Sequence, residues 1–280
     1  MALQRALESR RPPATRLFDD PYAEAFTHGP LRVLVPASRV PVFGRLAPWL
    51  YDAIAGPSLR PSAVARTRLI DDLINATAPE VGQIVILGAG FDTRAHRLRS
   101  LAGLPIFEVD HPATQATKGS VVDHFGLTTS NVIYVPVDFE GDSLNYQLEA
   151  AGFDRGARTL LVWEGVTNYL SSEAVDETLH TIRRLAAQGG TLIFTYLYAG
   201  VLDGSASFPE AGRWVRNVQR AGEPWTFGLV PDRLSAFLGG HGYTLESDVS
   251  TRDAGDCWFP ALGRRERGSA LYHVAVARIG

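Results

Sequence analysis

Between about residue 60 and residue 198 the chain alternates two hydrophobic patterns. Five short, nearly unbroken apolar runs, "QIVILG", "LPIFEVD", "NVIYVPVDF", "TLLVWEG" and "GTLIFTYLY", have strand length and no polar alternation. That pattern predicts strands buried on both faces. Between the fourth and fifth lies "SSEAVDETLHTIRRLAAQGG", which predicts a helix capped by Ser171 or Ser172 and stopped by Gly189 and Gly190. Acids fill its first turn and arginines its later ones, as the helix dipole favours. "SAVARTRLIDDLINAT" predicts another helix. Ile70, Leu73, Ile74 and Thr77 recur at helical spacing and face inward, with Arg66 on the same stripe. Arg68, Asp71, Asp72 and Asn75 fall on the polar side.

Strands alternating with helices predict an α/β fold, a doubly wound and mostly parallel sheet. Pro136 lies inside the third strand and cannot donate to a ladder, which places that strand at an edge. The order 3-2-1-4-5 has strand three there. Two further runs, "YTLESDV" and "ALYHVAVARI", predict a hairpin-like pair that brings the sheet to seven strands. The remaining stretches differ. Residues 1–60 are rich in proline and aromatics and predict a helical N-terminal cap. Residues 199–230 interrupt the alternation with glycine, tryptophan and arginine, as a lid insertion does. The chain 1–280 is thus expected to be a single domain with these two additions.

Composition narrows the function classes. The 280 residues are 45% hydrophobic and 20% charged, with formal net charge −3. This excludes a disordered chain and offers no basic excess for nucleic acid. One cysteine, Cys257, allows no internal disulfide. No apolar run has signal-peptide or membrane-spanning length. A cytoplasmic protein, bound neither to membrane nor to nucleic acid, is expected. The histidines form no H-E-x-x-H pattern, and no metal site is expected. His111, between Asp110 and Pro112, reads as a turn residue.

The chemistry gathers where the strands end. A strand running into Gly88-Ala89-Gly90 and then a helix marks a nucleotide-type turn, bare enough for close ligand approach. The dinucleotide fingerprint needs a third glycine where this chain has Thr93, which weakens a nicotinamide reading. Asp110 ends the second strand, Asp138 the third and Glu164 the fourth. Ligands of open α/β sheets bind at the carboxyl ends of strands, so these acids converge on one crevice. They suit a cationic, ribose-bearing ligand without phosphate, a description that S-adenosylmethionine meets. Arg66, on an inward face, needs an anion, either a ligand carboxylate or a structural partner such as Asp92.

The ordered motifs "RLFDDPYAEAF", "ARTRLIDDLI", "IVILGAGFDTRAHRL", "FEVDHPATQATK", "VPVDFE" and "LLVWEGVTNYL" closely resemble the leucine carboxyl methyltransferase family, from about residue 16 to residue 198. Its bacterial branch includes polyketide carboxyl O-methyltransferases. The resemblance implies a class I methyltransferase fold and S-adenosylmethionine as cofactor. It implies that Arg66 binds the cofactor carboxylate and that Gly88 and Gly90 floor the methionine part. It further implies that Asp110 binds the ribose, that Asp138 and Phe139 flank the adenine, and that Glu164 faces the amino group or the entrance. Asn168 stands at a place where the family often carries methionine.

A carboxylate acceptor is already ionised at neutral pH and needs no general base, whereas a phenol titrates near 10 and usually needs one. Tyr169, Tyr196 and Tyr198, which follow strands four and five, are candidates for the substrate pocket. Arg213 and Arg216 in the lid are candidate clamps for an acid, and Trp214 and Trp225 candidate stacking surfaces. An acidic, aromatic small molecule such as a polyketide is the expected substrate. A phenolic O-methyltransferase, a nicotinamide oxidoreductase and an inactive binding protein of the same fold remain open.

Overall fold

The computed structural model describes residues 1–27, 29–38, 41–127, 129, 131–138, 142–220 and 222–280 and, for residues 31 and 41–45, the backbone alone. In chain order these residues form α1 (Ala2–Ser9), α2 (Leu34–Ala37), α3 (Pro41–Ala55), α4 (Leu59–Thr77), β1 (Gln83–Leu87), α5 (Arg94–Arg97), β2 (Ile106–Asp110), α6 (Pro112–His124) and β3 (Val132–Pro136). There follow α7 (Leu144–Ala150), β4 (Thr159–Trp163), α8 (Ser172–Leu185), β5 (Thr191–Leu197), α9 (Ala211–Arg220), α10 (Pro231–Gly240), β6 (Tyr243–Ser250), α11 (Thr251–Trp258) and β7 (Tyr272–Ile279).

Two compact units result. The first comprises Met1–Ile70, Gly200–Trp225 and Val249–Val274, the second Asp71–Ala199, Thr226–Asp248 and Ala275–Gly280. The stretch expected to form a cap and most of the expected lid fall together in the first unit. Residues 249–274 join them there, and their hydrophobic pattern offers no reason to expect it.

The second unit carries the seven-stranded sheet, in the order β3-β2-β1-β4-β5-β7-β6. β1 pairs in parallel with β2 and β4, β2 with β3, and β4 with β5. β1, β4 and β5 are buried at every position, which is why their sequences show no polar alternation. β3 is the edge strand, and Pro136, opposite Asp110 at its end, leaves no ladder bond unmade. Ser171 caps α8 by accepting from the Ala174 N–H. Val175, Leu179, Ile182 and Leu185 are its buried stripe, each worth roughly 1.5–3 kcal/mol of apolar burial. The helix stops at Leu185, earlier than its glycines imply. Gly189 and Gly190 instead serve the turn into β5: the Gly189 N–H donates to the Ile279 carbonyl, and the Ile279 N–H to that of Gly190.

The first unit packs two small apolar clusters. One gathers Ala6, Leu7, Ala23, Leu34, Val35, Ala47 and Tyr51. The other gathers Leu17, Val64, Ala65, Ala254 and Phe259. Among the described residues no helix is long and apolar enough to cross a membrane.

Candidate functional site

β1 has β2 on one side and β4 on the other, so the strand order reverses beside it. Ligands of open α/β sheets bind at such a reversal, outside the carboxyl ends of the strands. The parallel register sets the ends of β1, β2 and β4 along one edge, so the glycine turn, Asp110 and Glu164 sit on adjacent strand ends.

The two glycines have different reasons. Gly88 has φ +65°, and a Cβ there would overlap Cγ2 of Val166, so its bareness serves packing within the protein. Gly90, at φ +46°, has only Asp110 Oδ2 and the Gly88 carbonyl near a built Cβ, both at 3.9 Å. Both are ordinary van der Waals distances, so no side chain crowds the backbone there. The Gly90 N–H donates to Asp110 Oδ2 at 2.5 Å, and the His111 N–H to Oδ1 at 2.7 Å. Asp110 is thereby fixed, and each oxygen keeps a lone pair for a ligand hydroxyl. His111 is the N-cap of α6, its Nδ1 accepting from the Ala113 N–H at 3.2 Å. Thr93 is buried and accepts from Arg97 Nε at 3.3 Å, so a side chain fills the position a dinucleotide turn leaves bare.

Arg94 is the residue that sequence reasoning passed over. It is 3% exposed. Its Nε donates to Asp71 Oδ1 at 2.8 Å, and its Nη1 to Asp92 Oδ2 at 2.5 Å and to Glu164 Oε2 at 2.7 Å. The Arg94 backbone N–H also donates to Asp92 Oδ1 at 2.7 Å. Arg97 grips Asp71 through both terminal nitrogens, at 2.6 and 2.8 Å. Burial works against the charge on Arg94, but Asp92, Glu164 and Asp71 reverse that and raise its pKa well above the ordinary value. Asp71, expected on the polar side of its helix, is instead 4% exposed because these arginines claim it. The signal was present in "GAGFDTR": a charged pair directly after a bare turn.

Beneath Asp110 on the same strand, Glu108 forms a buried ion pair with Lys118 Nζ at 2.6 Å. Burial pushes the Glu108 carboxyl up to about 7, with Lys118 pulling it back. A cavity of about 430 Å³ opens at the ends of β1 and β4, floored by Leu87, Trp163 and Val166 and walled by α7 and α8.

The other predicted residues scatter. Asp138 is exposed at the end of β3, where its N–H donates to Asp142 Oδ2 at 2.9 Å. Phe139 lies outside the described residues. Arg66 belongs to the first unit, buried, with its guanidinium 4.7 Å from the centre of the Tyr272 ring. Tyr169 is exposed and Tyr198 bridges to Leu229. Tyr196, expected in the substrate pocket, is a core residue. It is 0% exposed, and its hydroxyl donates to Asp248 Oδ2 at 2.7 Å. Burial first, then Asp248, raises its pKa far above that of a free phenol, which unsuits it to proton transfer. Trp214, expected to stack on substrate, is also buried, and its Nε1 donates to the Pro57 carbonyl at 3.1 Å. Arg213 and Arg216 are exposed on α9, where Arg213 Nη1 reaches the Ala53 carbonyl at 3.4 Å. Trp225 is half-buried, and its Nε1 has no hydrogen-bond partner among the described residues.

These groups fit a cationic nucleoside. Asp92 and Glu164 stand beside the glycine turn and at the end of β4, both on Arg94, and Asp71 joins them there. Asp110 adds an anchored acceptor beside open backbone. Among the described residues no group of His, Cys, Asp and Glu is arranged to hold a metal ion.

Known proteins resemble the chain in the same sense. The family model for leucine carboxyl methyltransferase matches residues 1–183. A protein of Frankia alni, named as an S-adenosyl-L-methionine-dependent methyltransferase, is 40% identical over 199 residues, covering 70% of this chain and 66% of that one. One of Mycobacterium sp. (strain JLS), named likewise, is 32% identical over 278 residues, covering 90% and 84%. A solved structure from Thermobifida fusca, named as a methyltransferase, superposes with TM-score 0.61 at 16% identity, covering 99% of this chain and 94% of that one. At that identity the likeness speaks for the fold alone, which is the class I methyltransferase fold.

Proposed function

Since this chain belongs to the leucine carboxyl methyltransferase family, we propose that it is an S-adenosylmethionine-dependent O-methyltransferase acting on a carboxylate of an acidic, aromatic small molecule. The observation that carries the reading is Asp110, held by the Gly90 and His111 N–H groups at the end of β2, beside the reversal of strand order. When bound, the cofactor supplies a methyl group made electrophilic by its sulfonium.

The chain's own residues bind and orient. Asp110, fixed by two backbone N–H groups, accepts the ribose hydroxyls. Asp138, exposed at the end of β3, flanks the adenine. Glu164 meets its amino group, and Gly90 gives the floor. Holding acceptor and donor in line is worth roughly 7–11 kcal/mol of the barrier.

The acceptor carboxylate is ionised at neutral pH, so the pocket needs donors rather than a base. Tyr169, exposed after β4, is such a donor.

The test is incubation with S-adenosylmethionine and a panel of aromatic acids and phenols, with products identified by mass spectrometry. Methyl esters are expected. Aryl ethers alone would move the acceptor to a phenol, and cofactor uptake without any product would make the protein a binding module.

A further inference from the structure

We propose that the exposed face of α3, with the arginine stripe of α9 beside it, docks the protein on the surface of an anionic lipid bilayer. The inference goes beyond the cofactor reading and stands without it, since both helices belong to the first unit. Leu46, Trp49, Leu50, Ala53 and Ile54 recur at helical spacing, so they share one face of α3. All five are exposed, Trp49 by 67%, Ile54 by 54%, Leu46 by 49% and Leu50 by 41%. The opposite face is apolar as well: Ala47 and Tyr51 pack with Ala6, Leu7, Leu34 and Val35. Asp52, the helix's one acid, is claimed by Arg60 at 2.7 Å. A surface helix normally turns polar residues to water, and this one turns apolar residues instead. A contiguous apolar patch of this kind marks an interaction surface.

The charge beside it selects the partner. α9 abuts the C-terminal turn of α3: Arg213 Nη1 donates to the Ala53 carbonyl at 3.4 Å and Asn217 Nδ2 to that of Ala55 at 2.9 Å. From that contact Arg213, Arg216 and Arg220 run along one face of α9, all exposed. The helix contains no acid, and Arg216 and Arg220 have no ion pair among the described residues. Like charges gathered at an apolar edge suit an anionic surface and repel a second copy of the same face. A tryptophan among aliphatic residues, flanked by arginines, is the composition of a helix that lies in the interface of a bilayer. Its apolar side sinks toward the acyl chains while the guanidinium groups meet phosphate. This departs from the expectation of a protein that meets no membrane, which rested on the lack of a spanning run. Among the described residues no helix is long and apolar enough to span, but docking needs only one helix face.

Flotation of the full chain with phosphatidylcholine vesicles, and with vesicles carrying about one third phosphatidylglycerol, decides the matter. Wild type should partition onto the anionic vesicles at least about tenfold better than onto the neutral ones, and the gap should close at high salt. Trp49→Ser should lose about tenfold on anionic vesicles. Arg216→Gln combined with Arg220→Gln should lose about tenfold on anionic vesicles and nothing on neutral ones. These positions are exposed, so unfolding curves should match wild type. Wild type that stays off both kinds of vesicle, or partitions equally onto both, overturns the proposal. So does partition that Trp49→Ser leaves unmoved. A concentration-dependent dimer that Trp49→Ser abolishes, without flotation, overturns it and gives the face to a second copy. Calorimetric uptake of a soluble aromatic acid that the same change abolishes, again without flotation, overturns it and gives the face to a small molecule.

Discussion

Each unit contains a buried ion network, and the two stand in different surroundings. In the first unit Arg264 grips Glu8 through both terminal nitrogens, at 2.6 and 3.0 Å, and Glu266 through Nε at 2.5 Å. Arg60 bridges Asp52 at 2.7 Å and Glu266 at 2.6 Å, and Arg11 pairs with Glu8 and Glu266. The arginines Arg11, Arg60 and Arg264 match the acids Glu8, Asp52 and Glu266 one for one. In the second unit Arg94 serves Asp71, Asp92 and Glu164, and Arg97 shares Asp71 with it. A balanced network satisfies itself and staples distant segments of chain. The second network stands at the carboxyl ends of strands, where ligands of open α/β sheets bind, and its placement sets it apart from the first.

The sharpest way to break this contrast is Glu266→Ala. It strips a shared partner from three arginines, and removing one member of a buried pair costs about 3–5 kcal/mol, to be read from denaturant unfolding. The same residue predicts an acid limb. Burial would raise the Glu266 carboxyl, but Arg60, Arg11 and Arg264 overcome it and hold it at about 2, below its ordinary 4.5. A depressed acid contributes stability above its unfolded value. Wild type should therefore lose that contribution as pH falls from about 4.5 toward 2, and the variant should lack the loss. Unfolding curves with the same acid limb would remove Glu266 from the network.

A smaller effect, on binding rather than folding, is expected on the other side. Asp110→Ala should weaken S-adenosylhomocysteine at least tenfold, about 1.4 kcal/mol, with unfolding little changed. An unchanged calorimetric affinity would take Asp110 out of the ribose role. Smallest is Tyr196→Phe, which loses one hydrogen bond to Asp248 and should cost about 1 kcal/mol of stability. Turnover should stay at the wild-type rate, since the core position makes the hydroxyl structural. A collapse of turnover with stability unchanged would restore Tyr196 to the chemistry.

Much of the second unit was legible because it depends on local pattern. Continuous apolar runs give the parallel strands, Pro136 the edge, and Ser171 the cap of α8. The glycine turn and Asp110 were legible as well, since strand-to-helix turns carry their own residue types. Asp71 misled because helical periodicity reads only its own helix, and the arginines that bury it stand 23 and 26 residues further on. Trp214 and Tyr196 misled for a related reason: an aromatic beside a strand end or in an insertion looks the same whether it faces a ligand or the core.

The amino-acid order alone therefore determined the periods, the turns and the edge position of the proline-bearing strand, because each depends on residue types a few positions apart. Only the tertiary structure decided which charges are shared. One guanidinium meeting Asp71, Asp92 and Glu164 depends on three segments converging, and electrostatic energy follows distance in space, which sequence separation does not encode.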